Sequence, residues 1–204
     1  MSRLRPFKCT DLFHFNRVNL DHFTETYSTA YYLNYLATWP DLCFVSTHAS
    51  CSESTASSDG AVGRAGGGDT QIMGYLFGKA EGIDGAGGTK EKERHGHVTA
   101  VTVGPEFRRL GLARELMGLL EEASSLMYSA YFIDLFVRPS NALAVGLYQS
   151  LDYAVHRVVK EYYQGGGPGG SDEDGYDMRK ALPRDTKRET VRESSKGMKV
   201  FVEQ

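Results

Sequence analysis

Apolar positions along this chain alternate between a period of two and a period near 3.6, which predicts strands and amphipathic helices in turn. LRPF around Leu4 reads as a short strand. Thr10, a residue type suited to an N-cap, opens DLFHFNRVNL, whose Leu12, Phe15 and Val18 or Asn19 share one side of a helix. AYYLNYLATW (30–39) is a second helix, stopped by Pro40 because the residue before a proline avoids helical angles. DLCFVST and QIMGYLFGKA are strands, and HVTAVTV (97–103) is a β-branched one. A helix follows from about Phe107 to Met127, then the apolar strand YFIDLFV (131–137), then the helix SNALAVGLYQSL (140–151) with Ser140 as its cap. YAVHRVVKEYY and GYDMRKAL are two last strands, joined by GGGPGGSDED. The order β-α-α-β-β-β-α-β-α-β-β predicts an α/β (α+β) fold, a mixed sheet with helices on both faces.

Some stretches carry no such period. HASCSESTASSDGAVGRAGGGDT (48–70) and GIDGAGGTKEKER (82–94) hold too few large apolar residues to order themselves, and read as low-complexity insertions. The first lengthens a hairpin, at little cost because loop-closure entropy grows only logarithmically. The hairpin loop 165–171 is glycine-rich, and 183–204 reads as a flexible charged tail. One domain over 1–182 remains. Within it, Asp172, Glu173 and Asp174 read as a solvated turn.

Composition narrows the classes. A chain of 204 residues with 41% hydrophobic content builds a real core. A net charge of -3 and a pI near 6.1 provide no basic field, so nucleic acid is not an expected partner. There is no 18-residue apolar stretch and no signal-like N-terminus, which points away from a membrane. Cys9, Cys43 and Cys51 form no CxxC pair, which argues for a reducing, cytoplasmic setting and against a zinc site.

The candidate chemistry sits at RRLGLA, residues 108–113, between a β-branched run and a long helix. A helix start after a buried strand offers unpaired N–H groups and a positive dipole end, a ready anion site. Gly111 and Ala113 are small where a pyrophosphate would lie, and Arg108 and Arg109 add charge-assisted donors. No GK[ST] and no GxGxxG after a strand competes with this corner.

RRLGLA fits the R/Q-x-x-G-x-G/A motif, and with the element order it resembles the GNAT family of acetyl-CoA-dependent N-acetyltransferases. FNRVNLDHFTETY, YYLNYLATWP, GHVTAVTVGPEFRRLGLARELM, DLFVRPSNALAVGLYQSLDY, KEYY and DEDGYDMRKAL are similar, more narrowly, to the catalytic subunits of NatB N-terminal acetyltransferases. That resemblance implies acetyl transfer from acetyl-CoA, without a metal, to the α-amine of nascent polypeptides beginning Met-Asp, Met-Glu, Met-Asn or Met-Gln. It also implies a heterodimer with a helical-repeat auxiliary subunit, which brings the enzyme to the ribosome.

The resemblance assigns residues as well. Val101 and Val103 would meet the coenzyme through their backbone, with the Val103 region aiming an amide at the thioester oxyanion. Arg108, Arg109, Gly111, Leu112 and Ala113 would hold its pyrophosphate. Tyr148 matches the tyrosine beside the coenzyme sulfur and would act as general acid, and Asn141 matches a contact to coenzyme and substrate backbone. Glu25, Tyr27, Tyr162 and Tyr163 match the substrate groove. The two tyrosines alternate along a strand, so both are not expected to face it equally. His97 and Thr99 match donors to the second substrate residue, whose four permitted types all present a side-chain oxygen. His97 is also a candidate base, although an α-amine with a pKa near 7.7–8 needs little help. Asp152 stands where the family usually has glycine, and aspartate tolerates left-handed angles. The apolar residues of the first helix, Leu12, Phe13, Phe15 and Val18, exceed what one face needs. They suit a contact to the auxiliary subunit, tested by polar replacement of Phe13 and Phe15, or the core equally well. Two other readings are a GNAT enzyme for a different acceptor, such as lysine, and a GNAT fold that only binds. The second would show damage at RRLGLA or Tyr148, and both are intact.

Overall fold

The computed structural model describes residues 2–20, 24–48, 71–82, 93–165 and 172–192. Its strands are β1 (Ser2–Pro6), β2 (Cys43–His48), β3 (Ile72–Glu81), β4 (His95–Val103), β5 (Phe132–Val137), β6 (Ala154–Tyr163) and β7 (Glu173–Ala181). Its α-helices are α1 (Asn16–Asn19), α2 (Thr29–Thr38), α3 (Leu112–Tyr128) and α4 (Ala142–Ser150). The strands form one sheet in the order β1-β2-β3-β4-β5-β7-β6, antiparallel except for the parallel β4–β5 pair. This is the mixed sheet that the periodicity predicts.

Each face of the sheet buries its own cluster. On one face Phe15 and Val18 join Tyr32 and Tyr35 of α2 over Phe7, Tyr75 and Phe77. Buried Asn19 fits there because its Oδ1 accepts from Tyr32 at 3.1 Å and from Tyr75 at 2.6 Å. On the other face Leu116, Met117 and Leu120 of α3 pack on Leu76, Val98, Ile133, Leu135 and Met178, with Tyr148 of α4. Glycine lets α3 lie close. A Cβ at Gly78 would come within 2.2 Å of Leu120, and one at Gly96 within 2.4 Å of Ser124.

Three predicted elements are corrected. The first helix is a 3-10 turn, Cys9–Phe13, followed by the single turn α1. The organiser is Asp11 and not Thr10: its carboxylate accepts from the Lys8 N–H at 2.7 Å and forks onto Arg5. As a result Phe15 is core at 5% exposure while Phe13 is 81% exposed. Helix α3 begins at Leu112 and not near Phe107, because Arg109 (φ 67°) and Gly111 (φ 86°) take left-handed angles. Helix α4 is capped by Asn141, whose Oδ1 accepts from Ala144 N at 3.1 Å, and not by Ser140. Asp152 does take the left-handed angle, φ 72°.

Most of 48–70, 82–94 and 165–171 lies outside the described residues. The first part of the 183–204 tail folds back on the sheet. Asp185 accepts from the N–H groups of Glu189 and Thr190, and Arg179 donates to the Thr190 carbonyl.

Candidate active site

The site begins where β4 and β5 part. Their ladder runs from His95–Phe132 to Val98–Leu135 and stops. Just there β4 bulges, since Gly78 pairs with Val98 and Phe77 with Ala100, leaving Thr99 extra. Beyond it, β3 is the one described strand that pairs with β4. Gly104 N donates to Met73 O at 2.9 Å. By the alternation of an antiparallel ladder, Val101 and Val103 therefore turn their N–H and C=O groups away from β3, into the opening. An extended chain laid in the gap finds a strand edge to pair with.

The N-terminus of α3 stands at the mouth of the gap. Its first helical bond runs from Glu115 N to Gly111 O, so the amides of Gly111, Leu112, Ala113 and Arg114 have no acceptor within the helix. A Cβ on Gly111 would meet nothing within 4 Å, so the corner is open to a ligand. Leu112 buries its side chain and offers only backbone. Arg109 is exposed, and Arg108 donates from Nε to the Val103 carbonyl at 3.3 Å. These groups suit a pyrophosphate followed by an extended amide-bearing arm.

Tyr148, from α4, is 8% exposed, and burial pushes its phenol up to about 12. It remains protonated at neutral pH, as a proton donor must. Asn141 spends its carbonyl on the cap, which leaves its NH2 as the group it can offer.

On the face that carries α2, the other predicted residues surround one groove. His97 donates from Nδ1 to Asp134 at 2.8 Å, and Asp134 is buried. Burial alone would raise the Asp134 carboxyl, but the His97 bond and the nearby positive groups hold it below the usual range. Thr99 donates to Tyr35 Oη at 2.9 Å, and Tyr31 donates to the same oxygen at 3.0 Å. Thr99 thus spends its proton on Tyr35, and the hydroxyl proton left over is that of Tyr35, whose ring is itself buried. Tyr27 stacks on Tyr31 at 4.4 Å, its phenol pushed up to about 12 by burial and then by the Glu25 charge.

Tyr162 and Tyr163 correct the expectation of alternation. Glu161 takes φ 54° and the β6–β7 register shifts beside it, so the two rings lie next to each other at 4.9 Å. Tyr162 stacks on Phe136, and Tyr163 lies under Arg138. Gly175 makes room, since a Cβ there would come within 3.0 Å of Tyr162. The acidic run is no solvated turn either. Glu173 accepts from the N–H and hydroxyl of Ser140, Asp174 pairs with Lys160, and Asp172 accepts from Gly165 N.

Sequence reasoning missed Tyr31, Tyr35, Asp134, Arg138 and Glu173 as parts of the site. Two signals were available. Asp134 is the one carboxylate inside the apolar run YFIDLFV, and Tyr27, Tyr31 and Tyr35 recur at helical spacing.

Residues 19–153 match the Acetyltransferase (GNAT) family. The chain belongs to the GNAT acetyltransferases. It is 47% identical over 199 residues to the N-terminal acetyltransferase B complex catalytic subunit naa20 of Schizosaccharomyces pombe, covering 98% of this chain and 96% of that one. It is 44% identical over 191 residues to the NAA20 subunit of Arabidopsis thaliana, covering 94% and 91%. Among solved structures it is similar to Chaetomium thermophilum Naa20 in complex with a bisubstrate analogue, with TM-score 0.78, 39% identity and coverage of 98% and 96%. It also resembles a chain of the NatB complex bound to CoA and MES, with TM-score 0.68, 36% identity and coverage of 89% and 99%. This GNAT chain is an N-terminal acetyltransferase, and its co-substrate is acetyl-CoA. Among the described residues no helix is long and apolar enough to cross a membrane.

Proposed function

We propose that this chain is the catalytic half of a NatB-type heterodimer that acetylates the initiator methionine of proteins beginning Met-Asp, Met-Glu, Met-Asn or Met-Gln. The observation that carries the reading is the groove itself. An imidazole and a phenol, His97 and Tyr35, stand beside an aromatic wall of Tyr27, Tyr31 and Tyr162, next to the open edge of β4. Aromatic walls suit the flexible methionine side chain. Polar groups at the second position suit the side-chain oxygen shared by the four permitted residues.

Acetyl-CoA brings the acetyl group as a thioester. The chain's own residues then divide the work. Gly111, Leu112 and Ala113 amides with Arg108 and Arg109 hold the pyrophosphate, and the Val101 and Val103 backbone pairs with the arm. A backbone amide of this edge faces the negative charge growing on the thioester oxygen, worth about 2.7–4 kcal/mol for one well-placed donor. As the C–N bond forms and the C–S bond breaks, Tyr148 gives its proton to the departing sulfur, and the proton released by the amine passes to water and restores Tyr148. The α-amine needs only partial deprotonation near neutrality. Orientation of amine and thioester supplies the rest.

Phe13 and Leu20 stand out of the fold at 81% and 71% exposure, and they are the contacts to a helical-repeat auxiliary subunit in this reading. That subunit carries the enzyme to nascent chains at the ribosome, in the cytosol, where free Cys9 and Cys43 are at home.

The test is acetylation followed by mass spectrometry with the auxiliary subunit present. Peptides beginning Met-Asp and Met-Asn should be modified; Met-Leu, Ser-Glu and a blocked Met-Asp peptide with an internal lysine should not. Modification of the blocked peptide would move the enzyme to lysine acceptors. Silence on all of them with acetyl-CoA bound would make the fold a binder. Phe13→Asp with Leu20→Asp should weaken complex formation at unchanged melting temperature.

A further inference from the structure

We propose that His97, held by Asp134, makes the choice between acidic and amide second residues depend on pH; this rests on the reading of His97 as part of the second-residue pocket. His97 and Asp134 are direct partners in the β4–β5 ladder, and their side chains meet at 2.8 Å on the groove side. Asp134 is 6% exposed and ionised, so it accepts and does not donate. Nδ1 of His97 consequently carries its proton in both charge states. Only Nε2 changes, and among the described residues Nε2 has no partner. Neutral His97 presents a lone pair there, and charged His97 presents an N–H.

The surroundings bear on that proton from every side. His95 on the same strand places Nε2 3.1 Å from Glu81 and 3.5 Å from Asp134. Strand β3 contributes Glu81 and its partner Lys79, and β7 contributes Arg179 and Asp177. Tyr162 comes from β6, stacked on the Phe136 that His97 also touches, and Tyr35 from α2, reached through Thr99.

Substrates differ in what they ask of Nε2. A Met-Asp or Met-Glu side chain only accepts, so it pairs with the charged imidazole and is repelled by the lone pair. A Met-Asn or Met-Gln side chain accepts and donates, and turns its amide to suit either state. Acidic second residues are thus favoured at low pH and lose ground as pH rises.

The measurement is kcat/KM for two peptides that differ only in Asp or Asn at position two, from pH 6 to pH 9, with the complete heterodimer. Both share the α-amine, so its titration cancels in the ratio. The Asp-to-Asn ratio should fall about tenfold across the range, the difference between a charge-assisted hydrogen bond and none. In His97→Gln, whose amide donates at every pH, the ratio should be flat. In Asp134→Asn the fall should shrink, because an amide can donate as well as accept, so Nδ1 is no longer held protonated and the neutral ring can carry its proton on Nε2. A flat ratio in the native enzyme with both peptides acetylated overturns the proposal and leaves the activity standing. A fall that persists in His97→Gln overturns it too. Failure to acetylate either peptide overturns the underlying reading and the proposal with it. If Asp134→Asn does not fold, the other two profiles still decide.

Discussion

Arg138 and Glu25 are 113 residues apart in the chain, and their side chains meet at 2.9 Å. Arg138 also covers the Tyr163 ring at 4.1 Å and reaches Glu173 at 3.5 Å. One guanidinium thus ties the loop before α2 to β6 and β7 and closes an end of the groove. Arginine suits this because its planar fork serves carboxylate and ring together.

For Arg138→Ala we expect KM for the peptide to rise about tenfold while KM for acetyl-CoA stays within about twofold. The Glu25 partner is half-exposed, so stability should fall by about 1 kcal/mol or less. Steady-state kinetics in both substrates decide. Equal loss for both substrates would mean that Arg138 supports the fold and not the groove.

Tyr148→Phe removes one hydroxyl from a packed ring. As general acid Tyr148 is worth about 10²–10⁴-fold, so kcat should drop by at least about 10² with both KM values little changed. The sign of its pH effect follows from burial, which raises the phenol to about 12. The proton is therefore present throughout the working range. A kcat decline between pH 7 and pH 10 that vanished in Tyr148→Phe would mean that Tyr148 loses its proton within that range, against the upward shift.

Gly111→Ala separates ligand from fold. The protein leaves space for the methyl, but φ 86° disfavours any side chain, and the methyl would enter the proposed pyrophosphate corner. Stability should fall by about 1 kcal/mol. Coenzyme A should bind at least about tenfold more weakly by calorimetry. Unchanged affinity would remove this corner from the binding site.

His95 supplies a stability test with a definite sign. Burial pulls its imidazole down, but the Glu81 bond and the Asp134 charge outweigh it, and the net shift is upward. Its charged form therefore stabilises the fold fully below the ordinary histidine value, and this is lost as pH rises through the raised one. The carboxyls of Glu81 and Asp134 are shifted down, so their contribution is present above ordinary carboxylate values and lost as pH falls through the lowered ones. The urea-unfolding gap between native protein and His95→Gln should be wider at pH 6 than at pH 9. A gap that widens with pH would reverse the assignment.

Much of this was legible in the residues alone. Period-two and period-3.6 patterns place all seven strands and helices α2 to α4 in order, because burying one face is a local demand on spacing. They misread the first helix, which is a 3-10 turn and a single helical turn. RRLGLA marked the proposed ligand corner for a similar reason, since small residues and arginines at a strand-to-helix turn answer a nearby chemical need. Local chemistry misled where a neighbour in sequence was not the neighbour in space. Thr10 and Ser140 looked like caps, but Asp11 and Asn141 do that work once Arg5 and Glu173 are in reach.

Tertiary structure decided the rest. Phe13 and Phe15 are equally apolar, and only the packing of Phe15 against Phe7 and Tyr32 buries one and leaves the other outside. Two bulged turns of backbone, at Thr99 and at Glu161, aim the groove side chains, and no period announces them. His97 with Asp134, Thr99 with Tyr35, and Glu25 with Arg138 are pairings across the sheet. They depend on strand order and register, which all the residues of the sheet determine together and no short stretch encodes.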